Sequence, residues 1–452
     1  MLEREEMDMF DYRKDYGKIL SREEIEKLQL RRLKEVIRYA QEKSKFYKKL
    51  FKKSGIRLSH IKTLSDIKNI PIVTKDELCN QNQDFIAISP SRWADVFVTS
   101  GTVGRPVYVP HSKSELETLV MLCAKLMKLA GFRKGDIVYL TLPIGNLWAP
   151  GIMFWLAGLD LGCCVIRAGG LSLEEHMEKL LKFKPSVLIG IPSYLIKLGR
   201  AFRETGKLDW NIKLIFVIVE NIYSFELENN RFNKNKLALE LLKVWGANDI
   251  SEHYATVETG PIFHDCEGGG YHLFPECAYA EIVDPKTYQP LPPGEKGLLV
   301  FTNFYVKDAM PLIRYASGDI GFSVPSLCVC KRNSFRIGPI LGRVDSLIKI
   351  KGVFIYLHII EEVLMNIPEI EDYYIEINRD NLELNQIKIY FAEKGRLGAG
   401  GRLVEKVQTE IKKKAGVNLK VFNRNKKEIE ETIERYSSIR KIRRIIDLRG
   451  NK

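Results

Sequence analysis

Residues 99–106 read Thr-Ser-Gly-Thr-Val-Gly-Arg-Pro and combine the groups with which a main chain grips phosphate. Thr99, Ser100 and Thr102 offer hydroxyl donors, Gly101 and Gly104 allow close backbone approach, and Arg105 adds a cation. The Gly-x-x-x-x-Gly-Lys spacing of a Walker loop is absent, and alone the segment reads equally well as a hairpin turn. A second constellation has metal-ligand character. Cys328-Val329-Cys330 is a Cys-x-Cys pair, and Cys266 precedes His272 across Gly268-Gly269-Gly270. Three thiolates and one imidazole suit a closed, tetrahedral structural zinc site, with Cys277 as a substitute ligand and four reduced thiols as the plain alternative.

Such a loop needs a rigid sheet beneath it, and the chain supplies one by pattern. Val96-Phe97-Val98 is strand-like, as are Ile137 to Leu140, Ser186 to Ile191 and Leu214 to Val219. Helical periodicity falls between them, near Met153 to Leu161 and over Leu237 to Val244. The alternation predicts an α/β fold with helix-covered sheets. Ser21-Arg22-Glu23-Glu24 is a capping-box pattern ahead of Ile25, Leu28, Leu33, Val36, Ile37 and Ala40, which share one helical face. The stretch from Tyr271 to Thr302 is strand-rich. A new unit is expected after Arg343-Val344-Asp345, with a strand over Leu347 to Lys351 and a helix from Ile359. The expected division is therefore a large domain over 1–344 and a small, mobile α+β domain over 345–452.

The bulk figures narrow the function. A length of 452 residues suits a large domain plus a smaller one, and 45% hydrophobic with 28% charged residues is a globular composition. The apolar run from Ile152 to Ile166 is short and carries Asp160, so a buried helix and strand fit it better than a membrane span. The charged start, Met1 to Glu6, lacks the apolar core of a secretory signal, and a cytoplasmic location is expected. Eight cysteines in a chain of this size do not suggest a disulfide scaffold. The net charge of +13 is spread along the chain with no nucleic-acid-binding signature, so a lysine-rich surface that draws an anionic substrate such as ATP is preferred to a nucleic-acid partner.

The loop at 99–106 resembles the Ser-Gly-Thr-Thr-Gly-Lys-Pro loop of the adenylate-forming (acyl-CoA synthetase) superfamily. Tyr254-Ala255-Thr256-Val257-Glu258 is similar to its Tyr-Gly-x-Thr/Ser-Glu motif, and Tyr315-Ala316-Ser317-Gly318-Asp319 to Tyr-Arg-Thr-Gly-Asp. Gly342-Arg343-Val344-Asp345 with Ile348-Lys349-Ile350-Lys351-Gly352 resembles the hinge motif. Within the superfamily the likeness is to phenylacetate–CoA ligases and F390-synthetase-like relatives. It is carried by Leu20 to Ile25, Phe46-Tyr47, Pro192-Ser193-Tyr194, Ala309 to Tyr315 and Lys441 to Asp447. Relatives of this type often carry Cys…His…Cys-x-Cys where Cys266, His272, Cys328 and Cys330 stand.

The resemblance implies an AMP-forming ligase with a large adenylation domain and a small C-terminal domain. Its substrates would be ATP, CoA and a small carboxylic acid, with Mg²⁺ as cofactor and a homodimer among the assemblies allowed. It implies Glu258 as the Mg²⁺ ligand, Asp319 as the acceptor of the ribose hydroxyls and Tyr254 stacked on adenine. Glu252 would lie at the adenine edge, Glu220 in the adenine segment and Arg343 near nucleotide oxygens. Asp345 would be the pivot, and Lys441 the cation that neutralises charge as the acid attacks the α-phosphate, helped by Arg105 in the loop. Trp148, Phe154 and Phe263 are expected as apolar walls for an aryl or medium aliphatic acid. Four departures stand out: Arg105 for lysine, Val257 for Ser or Thr, Ile218-Val219-Glu220-Asn221 for a Gly-Ala/Gly-Glu-Pro segment, and Ala316 for arginine. They keep open a non-CoA acceptor (amine, carrier-protein thiol or F390-like transfer) or a weakened nucleotide-binding relative.

Overall fold

The computed structural model describes residues 19–99, 106–205, 208–226, 231–305, 308–324, 328–344, 347–350, 353–379, 385–395, 400–437 and 444–449. Ser21 opens the first helix, Arg22–Lys43, through a reciprocal cap: its Oγ accepts from Glu24 N, and Glu24 Oε2 accepts from Ser21 N. Leu33, Val36, Ile37 and Ala40 are the buried stripe of that helix, and Gln29 reaches out of it to donate to Ala278 O. Among the described residues no helix is long and apolar enough to cross a membrane.

Contacts divide the chain into two compact units, 1–340 and 341–452. In the first, the strands are β1 (Asp95–Val98), β2 (Tyr108–His111), β3 (Ile137–Leu140), β4 (Cys164–Arg167), β5 (Val187–Gly190), β6 (Leu214–Val217), β7 (Tyr223–Glu226), β8 (Arg231–Lys234) and β9 (Asp249–Glu252). A parallel sheet runs in the order β4-β3-β5-β6-β9. Its crossovers contain the helices Ala149–Asp160, Leu173–Phe183, Pro192–Glu204 and Lys236–Trp245. Val187 to Ile189 and Leu214 to Val217 are buried on both faces, as parallel strands between helix layers must be. The helical and strand runs read from periodicity appear where expected. The β7–β8 hairpin, paired from Tyr223–Lys234 to Glu226–Arg231, has no counterpart among those expectations.

The strand-rich stretch forms β10 (Phe263–Asp265), β11 (Tyr271–Leu273), β12 (Ala278–Val283), β13 (Gly297–Asn303), β14 (Tyr315–Gly321) and β15 (Arg336–Ile337). β12, β13 and β14 pair antiparallel in that order, and β11 pairs with both β10 and β15. The second unit holds a sheet ordered Lys420–Asn423, Asn385–Glu393, Ile370–Arg379, Ile445–Asp447. Its own core includes Ile375, Ile389, Phe391, Val407 and Ile411, contributed by this sheet and the helix Gly400–Ala415. Mixed pairing with three helices among the described residues makes it α+β.

Candidate functional site

β9 ends at Glu252 and leads directly into His253 and Tyr254, while β14 carries Tyr315 to Asp319. These two segments lock together through crossed pairs. Tyr254 Oη donates to Asp319 Oδ2 at 2.6 Å, and Tyr315 Oη donates to Glu258 Oε1 at 2.8 Å. The tyrosine of each segment thus holds the carboxylate of the other. All four side chains are buried below a tenth of their surface. The Tyr254 ring packs on Phe263 and Phe301, and Lys75 Nζ stands 3.7 Å from Glu258 Oε1. Glu258 Oε2 accepts a hydrogen bond from no described residue. Asp319 is aimed by a bulge: the β13–β14 register slips between Leu298 and Val300, and Gly318 takes φ +85° there.

Beneath this lock lies a buried ion pair that sequence pattern did not reveal. Arg314 Nε and Nη2 donate to the two oxygens of Glu281 at 3.0 and 2.9 Å, and Nη1 donates to the carbonyls of Lys68 and Ile70. Burial raises the Glu281 carboxyl, and the guanidinium opposes that rise. Arg314 itself sits at φ +48°, immediately before Tyr315, so the pair fixes the start of β14.

The other expected residues have varied surroundings. Thr99 is buried; its N donates to Val107 O, and its Oγ1 accepts from Val107 N, closing the base of the β1–β2 hairpin. Ser100, Gly101, Thr102, Gly104 and Arg105 lie outside the described residues, as do Asp345 and Lys441. Glu220 is engaged at the N-terminus of the helix Pro192–Glu204, accepting from Ser193 N and Ser193 Oγ at 2.8 Å each. Val219 beside it adopts φ +77° and is 54% exposed, an outlier for a β-branched residue. Glu252 is enclosed. Its Oε2 accepts from Ile222 N, its Oε1 has no partner among the described residues, and burial pushes the carboxyl well above the usual range. Arg343 follows Gly342 in a short extended segment and is half-buried. Phe263, expected as a wall of the acid pocket, is a core residue with no exposed surface, sealed between Tyr254 and Phe301. Phe154 is nearly as enclosed, whereas Trp148 remains partly open.

Cys266, His272, Cys328 and Cys330 converge, with all four ligand atoms within 4.8 Å of one another. Cys266 Sγ is 3.3 Å from Cys328 Sγ, and Cys330 Sγ is 3.4 Å from His272 Nε2. Ligand–ligand spacings of roughly 3.5 Å are what tetrahedral zinc with these donors requires. Ser334 Oγ stands 3.4 Å from His272 Nδ1, where it can fix the ring. Gly268 allows the approach: a Cβ there would meet Cys328 Sγ at 2.5 Å. Cys277, the substitute ligand, is buried in the main core and stands outside this group.

The AMP-binding enzyme family matches residues 19–306, and the AMP-binding enzyme C-terminal domain matches residues 352–449. A phenylacetate-coenzyme A ligase of Thermus thermophilus is 30% identical over 89% of this chain and 93% of its own length. One from Aromatoleum evansii is 27% identical over 95% and 96%. Among solved structures, 2-hydroxyisobutyryl-CoA ligase in its postadenylation state superposes with a TM-score of 0.81 at 22% identity, over 95% of this chain and 91% of that one. MatB from Rhodopseudomonas palustris, with ATP bound, shares the fold at a TM-score of 0.54 and 18% identity, over 75% of this chain and 66% of that one. By these matches the chain belongs to the AMP-binding, adenylate-forming enzyme family, in its phenylacetate–CoA-ligase-like branch.

Proposed function

We propose that the protein activates an aryl or medium-length aliphatic carboxylic acid with ATP and transfers the acyl group to CoA. A carboxylate oxygen attacks the α-phosphorus and pyrophosphate leaves; the CoA thiolate then attacks the acyl carbon and AMP leaves. The observation that carries this reading is the crossed lock, which holds two buried carboxylates, Asp319 and Glu258, on adjoining segments. Asp319 would accept from the ribose hydroxyls, and Tyr254 would keep its carboxylate oriented for them. Glu258 fits a magnesium ligand because Oε2 is uncommitted and a single carboxylate plus substrate phosphates suffices for that ion. Bound there, Mg²⁺ would offset negative charge on the phosphates. Thr99 to Arg105 would wrap the phosphates, Glu220 and Glu252 would shape the adenine side, and Arg343 would reach nucleotide oxygens. Lys441 would place its charge where negative charge develops, with residues 345–452 turning about Asp345 between the half-reactions. The cysteine and histidine cluster would hold a structural Zn²⁺.

Acid-dependent exchange of pyrophosphate into ATP is the test. Exchange with at least one aryl or aliphatic acid, lost in Lys441→Ala, is the expected result. Its absence across a broad acid panel would overturn the reading. Formation of the acyl-CoA with free CoA then separates this reading from an amine or carrier-protein acceptor.

A further inference from the structure

His253 sits at the junction of β9 and the crossed lock, between Glu252 and Tyr254, and none of the roles above uses it. Its ring lies flat on Phe216 of β6, with centroids 5.2 Å apart and planes at 9°. Phe154, from the helix Ala149–Asp160, meets it edge-on at 5.4 Å. The imidazole therefore joins an aromatic cluster at the carboxyl end of the parallel sheet, where open α/β sheets take their ligands. Trp148 and Ile152, from the start of the same helix region, remain only partly buried against the main core to which Phe154 and Phe216 belong.

The two ring nitrogens differ. Nδ1 is buried and has no hydrogen-bond partner among the described residues, whereas Nε2 is not enclosed in this way and the residue as a whole is half-buried. Burial pushes the imidazolium down to about 3, so the ring is neutral near pH 7 and carries one proton. A buried N–H without an acceptor is rarer than a buried lone pair without a donor, which assigns the proton to Nε2. His111 provides the contrast: both of its nitrogens are buried without partners among the described residues, so it presents nothing to a ligand. Apolar and aromatic walls with a few placed polar atoms are the usual composition of a small-molecule site.

We propose that His253 is a specificity-determining residue of the carboxylic-acid pocket, donating from Nε2 to an oxygen carried by the acyl portion of the substrate. The favoured acids are those bearing a hydroxyl, keto or ether oxygen beyond the carboxylate. An acid without that oxygen leaves the Nε2 donor desolvated and unpaired, which lowers its transition-state binding. This inference rests on the acid–CoA reading.

The experiment compares kcat/KM for acid-dependent pyrophosphate release within matched pairs: phenylacetate against its three ring-hydroxylated forms, and butyrate against 2- and 3-hydroxybutyrate. The wild type should prefer an oxygenated acid by about tenfold or more, the cost of an unpaired donor. His253→Phe should bring that ratio close to one. His253→Gln, which keeps an N–H donor, should retain part of the preference, and it guards against a variant that merely fails to fold. A preference that survives in His253→Phe, or a wild type that favours the unsubstituted acid of both sets, overturns the role of His253 alone. Absence of pyrophosphate release with every acid overturns the acid–CoA reading, and this inference with it.

Discussion

The hydroxyl of Tyr254 donates to Asp319 Oδ2 at 2.6 Å across 65 positions of sequence, and Tyr315 returns the arrangement by donating to Glu258. Each bond joins a neutral donor to an acidic acceptor in a buried setting, a class worth about 1.5–3 kcal/mol when the acceptor is charged. Tyr254→Phe should therefore raise KM for ATP by about tenfold or more, because Asp319 loses its orientation toward ribose. Tyr315→Phe should act mainly on kcat, through the Glu258 that is assigned to Mg²⁺. Steady-state kinetics with varied ATP and Mg²⁺ would separate the two. Wild-type constants in both variants would show that the lock is only packing.

Much of this arrangement could be read before any coordinates, because the signals were local. Ser21 and Glu24 cap the first helix as their spacing predicts, and the short apolar runs read at 137–140, 186–191 and 214–219 form strands over 137–140, 187–190 and 214–217. The order of the motifs also indicated that Glu258 and Asp319 belong together. What pattern could not supply was partnership across long stretches of chain. Arg314 looked like one basic residue among many, yet its guanidinium meets Glu281 in the core and steadies Tyr315. Phe263 looked like a pocket wall and is core, since an aromatic residue beside a motif carries no mark of which way its ring turns. Glu252 looked like an acidic residue at the adenine edge, and burial, which sequence does not report, pushes its carboxyl well above the usual range.

Glu115 gives a pH-dependent test of burial. It completes the N-terminal cap of the helix Lys113–Leu129 with Ser112 and accepts from Ala309 N, while burial raises its carboxyl from 4.5 to about 7. A carboxyl raised on folding binds its proton more tightly in the folded state. Its stabilising contribution is complete below about pH 4.5 and is lost as pH rises through 7. The unfolding free energy should thus fall by about 3 kcal/mol over that window from this group. Glu115→Gln keeps the capping geometry and removes the titration. Urea unfolding of both proteins at pH 5 and 7.5 should show a smaller fall in the variant; equal slopes would assign the pH dependence elsewhere.

Val219 tests backbone strain. At φ +77° a β-branched side chain crowds its own carbonyl, a cost of roughly 1–2 kcal/mol, whereas glycine adopts the same conformation without it. The side chain is 54% exposed, so little packing is lost on its removal. Val219→Gly should raise the unfolding free energy by up to about 1 kcal/mol after the entropy of the added glycine is counted. Being next to Glu220 in the segment assigned to adenine, the change should also lower KM for ATP. A destabilised variant would mean that Val219 makes contacts that outweigh its strain.

The cysteine and histidine cluster adjoins the end of β9 through the residue that follows β10's last position. Asp265 accepts from Ser251 Oγ at 2.7 Å, Glu252 N at 3.1 Å and Tyr223 Oη at 3.0 Å, and the next residue is Cys266. Zinc on Cys266, His272, Cys328 and Cys330 would anchor that turn, and with it the end of β9 that carries Glu252, His253 and Tyr254. Closed sites of this kind contribute folding energy directly, since the thiolates otherwise repel or must be protonated. Metal analysis of purified protein should find about one zinc per chain, the capacity of a single four-ligand site. Chelation should lower the unfolding midpoint and raise KM for ATP together, and Cys328→Ser should do the same without chelator. The Phe232 ring stacks under Arg336 and packs on Gly269 and Gly270, so some loop structure should survive in the apo-protein and the loss should be partial. A zinc content near zero, or a chelated protein with unchanged midpoint and KM, would leave the four residues as a cluster of reduced thiols with no part in holding β9.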